Sequence, residues 1–330
     1  MSACTLCLLN FKGGVGKTTL SVNFAAALAN TQGKNGQNYK VLLIDADAQA
    51  NSSVFMLGEY WKRNIFPNPE RSLYGIMDRI RQGNIKKIDE EDIIGEFENG
   101  TRSPVFSAEK KVLADGTSTY IESETYWPNL HIIPAHYGLI NVERDIRYGE
   151  DGLVSIKAFS SPVQYFELLD RVSSFIKEYY DFIIIDCPPN LYTMSENILY
   201  FCDNIVIPVI PDWLSTNGIN WLIMQVKAFS AKYGNRKKEI RGIAPTLWNV
   251  RELVFSRHIR ILSRSIEIWK KSENYSDLLG RCEIWTGLQR FASVNKSIES
   301  LRPVIDYQAS EPARVQVEMM TNKIQSWLEE

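Results

Sequence analysis

The 330-residue sequence contains only three histidines and five cysteines, and only Cys4 and Cys7 stand close together. Zinc sites are built from clustered His and Cys side chains, and disulfide-stapled domains need regularly spaced cysteine pairs. The single C-x-x-C, formed by Cys4 and Cys7, lies in an apolar run of strand length, where residues three apart point to opposite faces. We therefore predict buried free thiols in a reducing compartment, with neither a zinc site nor a disulfide framework.

Long apolar runs are also missing, since no stretch approaches the roughly 18 apolar residues of a membrane-spanning helix. The residues up to Phe11 lack the basic start of a signal peptide, so we expect a cytoplasmic protein. A terminal helix that binds lipid is basic, whereas this chain ends in Glu329 and Glu330, which anionic lipid would repel. We predict no membrane partner.

Net charge is small as well, because 37 Lys and Arg face 39 Asp and Glu, which gives −2. The charge is nevertheless unevenly distributed. Residues 227–271 hold 12 basic and three acidic side chains, a local charge of +9 that leaves −11 for the remainder. A localised basic surface indicates binding to the phosphate backbone of a nucleic acid, although a run of charges is also typical of a solvated helix face.

Six short apolar runs alternate with stretches of helical periodicity. Most of the runs are apolar throughout, as expected of parallel strands buried on both faces. The alternation predicts right-handed βαβ units and hence an α/β fold, a doubly wound, mostly parallel sheet flanked by helices. The predicted strands are residues 5–9, 41–44, 131–133, 182–185, 205–209 and 240–247. The predicted helices are residues 17–29, 163–180, 194–201, 216–233 and 311–328.

Residues 58–128 depart from this alternation, because they are rich in charge, glycine and proline and show no strong apolar period after Ile94. We predict one helix near residues 72–82, followed by a surface insertion at about residues 98–127. No linker divides the chain, so we predict a single domain over residues 1–330.

The strongest signal is a glycine-rich segment, NFKGGVGKTTL at residues 10–20, that follows the first predicted strand and opens the first helix. In this context glycine N–H groups approach a polyphosphate, and the helix N-terminus adds partial positive charge. Lys17 would reach the β- and γ-phosphates, and the Thr18 hydroxyl would bind Mg²⁺ directly. Phe11 replaces the usual first glycine, and Lys12 adds a second lysine, which gives the K-G-G-x-G-K-[ST] variant. The predicted nucleotide-binding residues here are Lys12, Gly13, Gly14, Val15, Gly16, Lys17, Thr18 and Thr19.

Acidic residues follow two of the predicted strands, with Asp45 and Asp47 after one and Asp186 after the other. Ligands of open parallel sheets bind beyond the carboxyl ends of the strands, so these carboxylates would face the glycine-rich loop. There they could hold metal-bound water, and phosphoryl transfer also requires one residue that orients the attacking water. Each Asp taken alone is equally consistent with a turn or a helix cap.

These motifs resemble the deviant Walker A ATPases of the ParA/MinD group, and within it the ParA/Soj branch. DADAQAN (residues 45–51) is similar to the D-x-D-P-Q-x-N segment of the family, and YDFIIIDCPP (residues 180–189) to its Walker B segment. RGIAPTLWNVR (residues 241–251) stands where the family has G-I-x-x-T-x-x-x-x-R. The likeness covers most of residues 1–60 and 129–255.

The resemblance implies an ATP-sandwich homodimer, in which Lys12 of one subunit contacts the nucleotide phosphates of the other. Asp47 would position the water that attacks the γ-phosphate, with Asp45 beside it, and Asp47 and Asp186 would contact Mg²⁺ through water. The resemblance thus implies ATP and Mg²⁺ as cofactors and catalytic roles for Lys12, Lys17 and Asp47.

Two segments depart from the family pattern. Ala48 replaces the usual proline, and LQRFASVN (residues 288–295) stands in place of I-P-R-N-V-R-x-x-E-A. Because the second segment departs from the family pattern, it predicts few residues in contact with adenine. We name Thr246 and Gln289 as the candidates for this contact.

Family members tether either to nucleoid DNA or to a membrane, and the basic segment favours DNA. Arg251 matches a family arginine associated with DNA contact, and the predicted DNA-binding residues are Arg251, Arg257, Arg260, Lys237 and Lys238. We therefore expect a nucleoid-associated ATPase that hydrolyses ATP slowly, is stimulated by a ParB-like or cargo-adaptor protein, and positions a plasmid, chromosome or other cargo.

The main alternative is a metabolic or iron–sulfur-handling ATPase or synthase of the same fold that does not bind DNA. A bridging cluster would need cysteines after the switch segments, and only Cys187 stands there. A bacterial tyrosine kinase would need a tyrosine-rich tail, whereas Tyr307 is the only tyrosine after residue 300.

Overall fold

The computed structural model describes residues 2–84, 86–95, 106–112, 118–148, 165–233, 238–249, 252–306 and 311–329. Its strands are β1 (Cys4–Leu8), β2 (Val41–Asp45), β3 (Phe106–Val112), β4 (Ser118–Tyr126), β5 (Leu130–Ile133), β6 (Phe182–Asp186), β7 (Asn204–Val209), β8 (Glu239–Trp248), β9 (Glu283–Ile284) and β10 (Leu288–Gln289). Eight of them form one sheet in the order β10-β8-β7-β1-β6-β2-β5, with β9 also paired to β8. All the pairs in this sheet are parallel.

The helices are α1 (Lys17–Ala29), α2 (Asn51–Leu57), α3 (Leu73–Arg81), α4 (Leu139–Tyr148), α5 (Leu168–Val172), α6 (Ser174–Tyr179), α7 (Thr193–Phe201), α8 (Trp213–Tyr233), α9 (Leu253–Lys270), α10 (Ser276–Leu279), α11 (Ala292–Glu299) and α12 (Glu311–Ser326). α1 packs against α12, α4 and α5 pack against α7, and α8 contacts α9. The predicted fold class is confirmed: a parallel sheet flanked by helices.

Strand order places a ligand site beside the central strand. β1 lies between β6 and β7, so two strands consecutive in the chain stand on opposite sides of it. Ligands of open α/β sheets bind at such a reversal, beyond the carboxyl ends of the strands. The pairing register of β2 with β6 also sets Asp45 opposite Asp186. The loop after β1 and both carboxylates therefore share one edge of the sheet.

The single helix predicted over residues 163–180 is wrong within its described part, because α5 and α6 are separated at Ser173. Ser173 has φ −97° and ψ 9°, and its hydroxyl donates a 2.8 Å hydrogen bond to the carbonyl oxygen of Asp170. Such a local bond offers the backbone an alternative to the helical ladder. Helix periodicity alone does not reveal this break.

α8 begins at Trp213, three residues before the predicted start. Asp212 accounts for the difference, since its Oδ1 accepts a 2.6 Å hydrogen bond from the backbone N–H of Ser215. A side-chain acceptor at this position satisfies a donor in the first helical turn. Asp212 is a capping signal that the sequence contains. The predicted start followed the apolar periodicity instead, and that periodicity begins three residues later than the helix.

The segment predicted as a surface insertion, residues 98–127, contains the antiparallel pair β3 and β4. The sequence did not indicate these strands. Residues 98–105 and 113–117 of this segment lie outside the described residues.

Candidate functional site

The loop between β1 and α1 is fixed to the sheet by Asn10. The Asn10 amide donates a 2.7 Å hydrogen bond to the carbonyl oxygen of Pro208, and its Oδ1 accepts one of 2.9 Å from the Lys12 N–H. Gly16 has φ +83°, a left-handed conformation that strains any residue with a side chain. A Cβ added at Gly13 or Gly14 would meet no atom within 4 Å, so the backbone here borders open space. This geometry fits a polyphosphate bound by backbone N–H groups.

Lys17 projects its ammonium group into this loop. Its Nζ donates hydrogen bonds to the carbonyl oxygens of Asn10 (3.0 Å) and Lys12 (3.3 Å), and the residue is only 7% exposed. Burial lowers the pKa of Lys17, and the nearby carboxylates of Asp186 and Asp47 oppose that shift. A cation held inside a glycine-rich loop matches the position predicted for contact with phosphate.

Asp186 lies directly across from the start of α1. Its Oδ2 accepts 2.7 Å hydrogen bonds from the hydroxyls of Thr18 and Ser52. Its other oxygen, Oδ1, is buried and accepts no hydrogen bond within the described residues. Burial raises the pKa of Asp186, because a charged carboxylate is costly in a desolvated site. An unsatisfied buried acceptor of this kind suits a hydrated cation placed beside it.

Asp45 increases the local negative charge. It is fully buried, and its Oδ2 accepts hydrogen bonds from the backbone N–H (2.8 Å) and hydroxyl (2.7 Å) of Ser53. Burial and the neighbouring Asp186 raise the pKa of Asp45 to about 8. Two adjacent carboxyl groups that are hard to ionise together would be stabilised as carboxylates by a divalent cation.

The residues present therefore fit Mg²⁺, which is usually bound by few protein ligands and completes its shell with phosphate and water. Thr18, Asp186 and Asp47 would hold it, Thr18 directly and the carboxylates through water. In the described part of the chain, no three His, Cys, Asp or Glu side chains form a preassembled metal site. Nucleotide phosphates would have to complete this one.

Asp47 stands at the turn between β2 and α2 and is 9% exposed. Its Oδ1 accepts a 3.0 Å hydrogen bond from the Gln49 N–H, and its own N–H donates to Asp45 Oδ1 at 3.2 Å. Asp47 therefore does act as a hydrogen-bond acceptor within the turn, as one of the two interpretations of this residue predicts. The negative charge of Asp47 also opposes the lowering of the Lys17 pKa.

Lys12 points away from its own loop, toward the N-terminus of α8. Its Nζ forms a 3.0 Å ion pair with Asp212 and a 2.9 Å hydrogen bond with the Ser215 hydroxyl. The side chain is 42% exposed. Exposed ion pairs contribute little stability, typically about 0–1 kcal/mol, so Lys12 can exchange this partner for another.

A pocket open to solvent adjoins the loop, and both residues named for adenine contact line it. Thr246 also ties the end of β8 to the loop through a 2.7 Å hydrogen bond to the carbonyl oxygen of Val15. Gly287 has φ +71°, and a Cβ there would lie 2.0 Å from the carbonyl oxygen of Pro245, so only glycine allows this approach. The lining residues are Gly16, Thr19, Thr246, Leu247, Leu288, Gln289, Arg290, Phe291, Val294, Asn295 and Ile298.

The residues predicted to bind DNA separate into three groups. Arg257 and Arg260 lie exposed on α9, and Arg264 extends the same face by one turn. Lys237 and Arg251 lie outside the described residues. The prediction for Lys238 is wrong.

Lys238 is 6% exposed, and its Nζ donates 2.7 Å hydrogen bonds to the carbonyl oxygens of Tyr200 and Cys202. A buried ammonium so engaged satisfies backbone acceptors and presents no charge to DNA. Arg241 is likewise buried and paired with Glu239. The +9 counted over residues 227–271 therefore overstates the surface charge of this segment.

Cys187 is fully buried, and burial raises the pKa of its thiol well above the usual value. All five cysteines are free thiols. A cluster bridging two subunits would require an accessible thiolate, so the geometry does not favour the iron–sulfur alternative.

Several site residues were not predicted from the sequence. Asn10 fixes the loop, Ser52 and Ser53 bind the two strand-end carboxylates, and Asp212 with Ser215 holds Lys12. The sequence does contain a signal for Ser52 and Ser53, because these two adjacent hydroxyl residues follow directly after the acidic motif at the end of β2. The partners of Lys12 lie 200 and 203 residues away along the chain, and no local pattern indicates them.

Among the described residues, no helix has both the length and the apolar character needed to cross a bilayer.

A family model described as an AAA domain matches residues 3–240. Soj, the sporulation initiation inhibitor protein of Bacillus subtilis, is 29% identical over 246 residues, which is 74% of this chain and 73% of Soj. The chromosome partitioning protein ParA of Caulobacter vibrioides is 27% identical over 248 residues, 74% of this chain and 70% of ParA.

Solved structures share the fold over a greater length. An ATP complex of McdA from Cyanothece has a TM-score of 0.65 at 17% identity and covers 99% of this chain and 97% of McdA. A plasmid partition protein from Borrelia burgdorferi bound to AMPPNP has a TM-score of 0.60 at 19% identity, covering 97% and 99%. Cobyrinic acid a,c-diamide synthase from Mycobacterium smegmatis, with an ATP analogue and magnesium, has a TM-score of 0.52 at 20% identity and covers 78% of each chain.

Proposed function

This chain belongs to the AAA-domain family whose members include Soj and ParA, and we propose that it is an ATP-hydrolysing partition or positioning protein that dimerises on ATP and binds DNA without sequence preference. The observation that carries the proposal is the joint geometry of the glycine-rich loop and Asp186. An open loop with a buried lysine faces a carboxylate whose Oδ1 accepts no hydrogen bond from the described residues. That pair of features fits a polyphosphate together with a divalent cation.

ATP would bind with its phosphates along Gly13–Thr18 and its base in the pocket lined by Thr246 and Gln289. Lys17 would exchange its two loop carbonyls for phosphate oxygens, which are stronger acceptors for an ammonium group. Mg²⁺, when bound, neutralises charge on the phosphates. The chain itself supplies Thr18 and the two carboxylates that orient the hydrated ion.

Hydrolysis would depend on Asp47, which lies at the same edge as Lys17 and orients the attacking water. The second subunit would add Lys12, whose charge lowers the cost of the negative charge that gathers on the transferred phosphoryl group. Because such a site is complete only in the dimer, hydrolysis would be slow in the free protein. A ParB-like or cargo-adaptor partner would raise the rate by stabilising the complete arrangement.

DNA binding would use the arginines on the outer face of α9. Arg257, Arg260 and Arg264 recur at three- and four-residue spacing, so they share one side of the helix. Contacts of these arginines with phosphate oxygens would position the duplex without carrying sequence information. A dimer would carry two such rows, and ATP would thereby couple dimerisation to nucleoid association.

The test is DNA affinity with ATP, with ADP and without nucleotide, measured by fluorescence anisotropy on a duplex of random sequence. We expect tight binding only with ATP. Arg257→Ala and Arg260→Ala should each weaken binding equally on all sequences and lower the slope of log affinity against log salt by about 1. Arg314→Ala, an exposed arginine on α12, is the matched control and should leave affinity unchanged. Affinity independent of salt, or equal with ATP and ADP, would contradict the proposal.

A further inference from the structure

A serine in the first turn of α2 attaches this helix to the end of β6. Ser52 is fully buried, and its hydroxyl donates a 2.7 Å hydrogen bond to Asp186 Oδ2. Hydroxyl residues at a helix start commonly bind the N–H groups of their own helix. Ser52 instead binds a carboxyl group 134 residues away along the chain, and the N-cap residue of α2, Ala50, makes no side-chain hydrogen bond. The helix start is therefore held by the nucleotide site itself.

The turn that leads into α2 is strained. Ala50 has φ +56° and ψ 32°, a left-handed conformation that alanine seldom adopts. Such a conformation persists only where the surrounding contacts impose it. Here the Ala46 N–H donates a 3.1 Å hydrogen bond to the carbonyl oxygen of Asp186, and the Ala50 N–H donates one of 2.8 Å to that of Asp47. The conformation around Asp47 therefore depends on how α2 is attached to β6.

The two carboxyl oxygens of Asp186 have different surroundings. Oδ2 accepts 2.7 Å hydrogen bonds from the hydroxyls of Thr18 and Ser52, whereas Oδ1 is buried and accepts none from the described residues. Two donors on one oxygen restrict rotation of the carboxyl group, so Oδ1 is the acceptor left for water on a bound cation. Groups that hydrogen-bond to a ligating carboxylate orient it, and their loss typically lowers metal affinity by about 10- to 100-fold. Ser52 is placed to do this from outside the set of direct ligands.

Resting on the Mg²⁺–nucleotide site proposed above, we infer that Ser52 is a positioning residue, which orients Asp186 toward the hydrated cation and couples the metal site to the start of α2. Ser52 acts through Asp186 and is not itself a ligand. The adjacent Ser53 holds Asp45, but its hydroxyl also accepts a 2.7 Å hydrogen bond from the Ala135 N–H. Ser53 therefore also secures the loop after β5, which makes Ser52 the sharper residue to test.

The experiment compares nucleotide affinity with and without the metal, on the full chain. Equilibrium binding of mant-labelled ADP and AMPPNP is measured by fluorescence in EDTA and over a titration with Mg²⁺. For Ser52→Ala we expect the apparent Mg²⁺ dissociation constant of the nucleotide complex to rise at least about tenfold. Nucleotide affinity in EDTA should stay within about twofold of wild type, because the loop and Lys17 are unchanged. A merely structural defect would instead lower the affinity in EDTA as well.

A matched control and a second measurement accompany this comparison. Ser21→Ala removes an equally buried hydroxyl that has no hydrogen-bond partner within the described residues, and it should change neither constant. Hydrogen exchange of the backbone over residues 46–57 reports on the start of α2. Mg²⁺ should slow this exchange in the ADP complex of wild type but not in that of Ser52→Ala. Thermal unfolding of each variant shows that it is folded.

Three outcomes overturn the inference and are distinct. If Ser52→Ala keeps the Mg²⁺ dependence of wild type within twofold, Ser52 does not position the metal, and the proposed function stands. If Ser52→Ala weakens nucleotide binding equally in EDTA and in Mg²⁺, the serine is structural, and the proposed function again stands. If wild type binds neither nucleotide more tightly with Mg²⁺, the metal site itself fails, and the inference fails together with the proposed function.

Discussion

Asp47→Asn is expected to lower ATP turnover by at least about a hundredfold while ATP binding stays within about threefold of wild type. Asparagine preserves the shape of the side chain and can still accept the hydrogen bond from the Gln49 N–H, so the turn after β2 should survive. What it removes is the negative charge that would orient and polarise the attacking water. Loss of a group with that role typically costs a factor of 10² to 10⁴. Phosphate release under saturating ATP and Mg²⁺, together with equilibrium nucleotide binding, measures the two quantities.

This substitution separates the two interpretations of Asp47. If the carboxylate serves only as a turn acceptor, Asp47→Asn will hydrolyse ATP at nearly the wild-type rate and Asp47→Ala will lose stability. If it also positions water, Asp47→Asn will be stable and inactive, and it will accumulate as an ATP-bound dimer. Gln49→Ala, at the exposed neighbouring position whose N–H is unchanged, should retain turnover. Wild-type turnover in Asp47→Asn would remove Asp47 from the proposed mechanism.

The sequence determined the parts of the fold that depend on local pattern. The bounds of α1 were predicted to the residue, because the Lys17 motif fixes its start and a run of small apolar residues fixes its length. The six predicted strands were each found within one residue of their observed bounds at either end. The strands of a parallel sheet that is covered on both faces are continuous apolar runs, and such runs are easy to recognise in a sequence.

Local sequence patterns do not show which group each charged side chain contacts in the folded protein. Its place in a basic run predicts a surface cation at Lys238, yet its ammonium group is buried against two backbone carbonyls at the C-terminal end of α7. The same limit applies to α8, because helical periodicity predicts a helix over residues 216–233 but does not indicate which of its sides the sheet covers. Neighbours distant in the chain decide both cases, and only tertiary packing brings them together.

Lys12→Ala is expected to abolish ATP-dependent dimerisation, raising the dimer dissociation constant at least about a hundredfold. The reason is that a lysine reaching the phosphates of the other subunit would be desolvated between two layers of protein, where loss of one partner of a charge pair costs about 2–5 kcal/mol. Nucleotide binding by the monomer should persist, because Lys17 and the loop glycines remain. Sedimentation velocity with AMPPNP and nucleotide titration of the monomer measure these effects.

The contact of Lys12 with Asp212 in the same chain provides the decisive control. Asp212→Asn removes the negative charge but keeps an acceptor for the Ser215 N–H that begins α8. If Lys12 acts across the dimer, releasing it from Asp212 will leave dimerisation intact or strengthen it, because the ion pair in the monomer competes with the contact in the dimer. If Lys12 merely secures α8 to its own loop, Asp212→Asn will weaken the dimer as Lys12→Ala does. Equal losses of dimerisation in the two variants would therefore refute the role of Lys12 in the second subunit. Opposite effects on dimerisation would support that role. They would also show that Asp212, at the N-terminus of α8, restrains Lys12 before ATP binds.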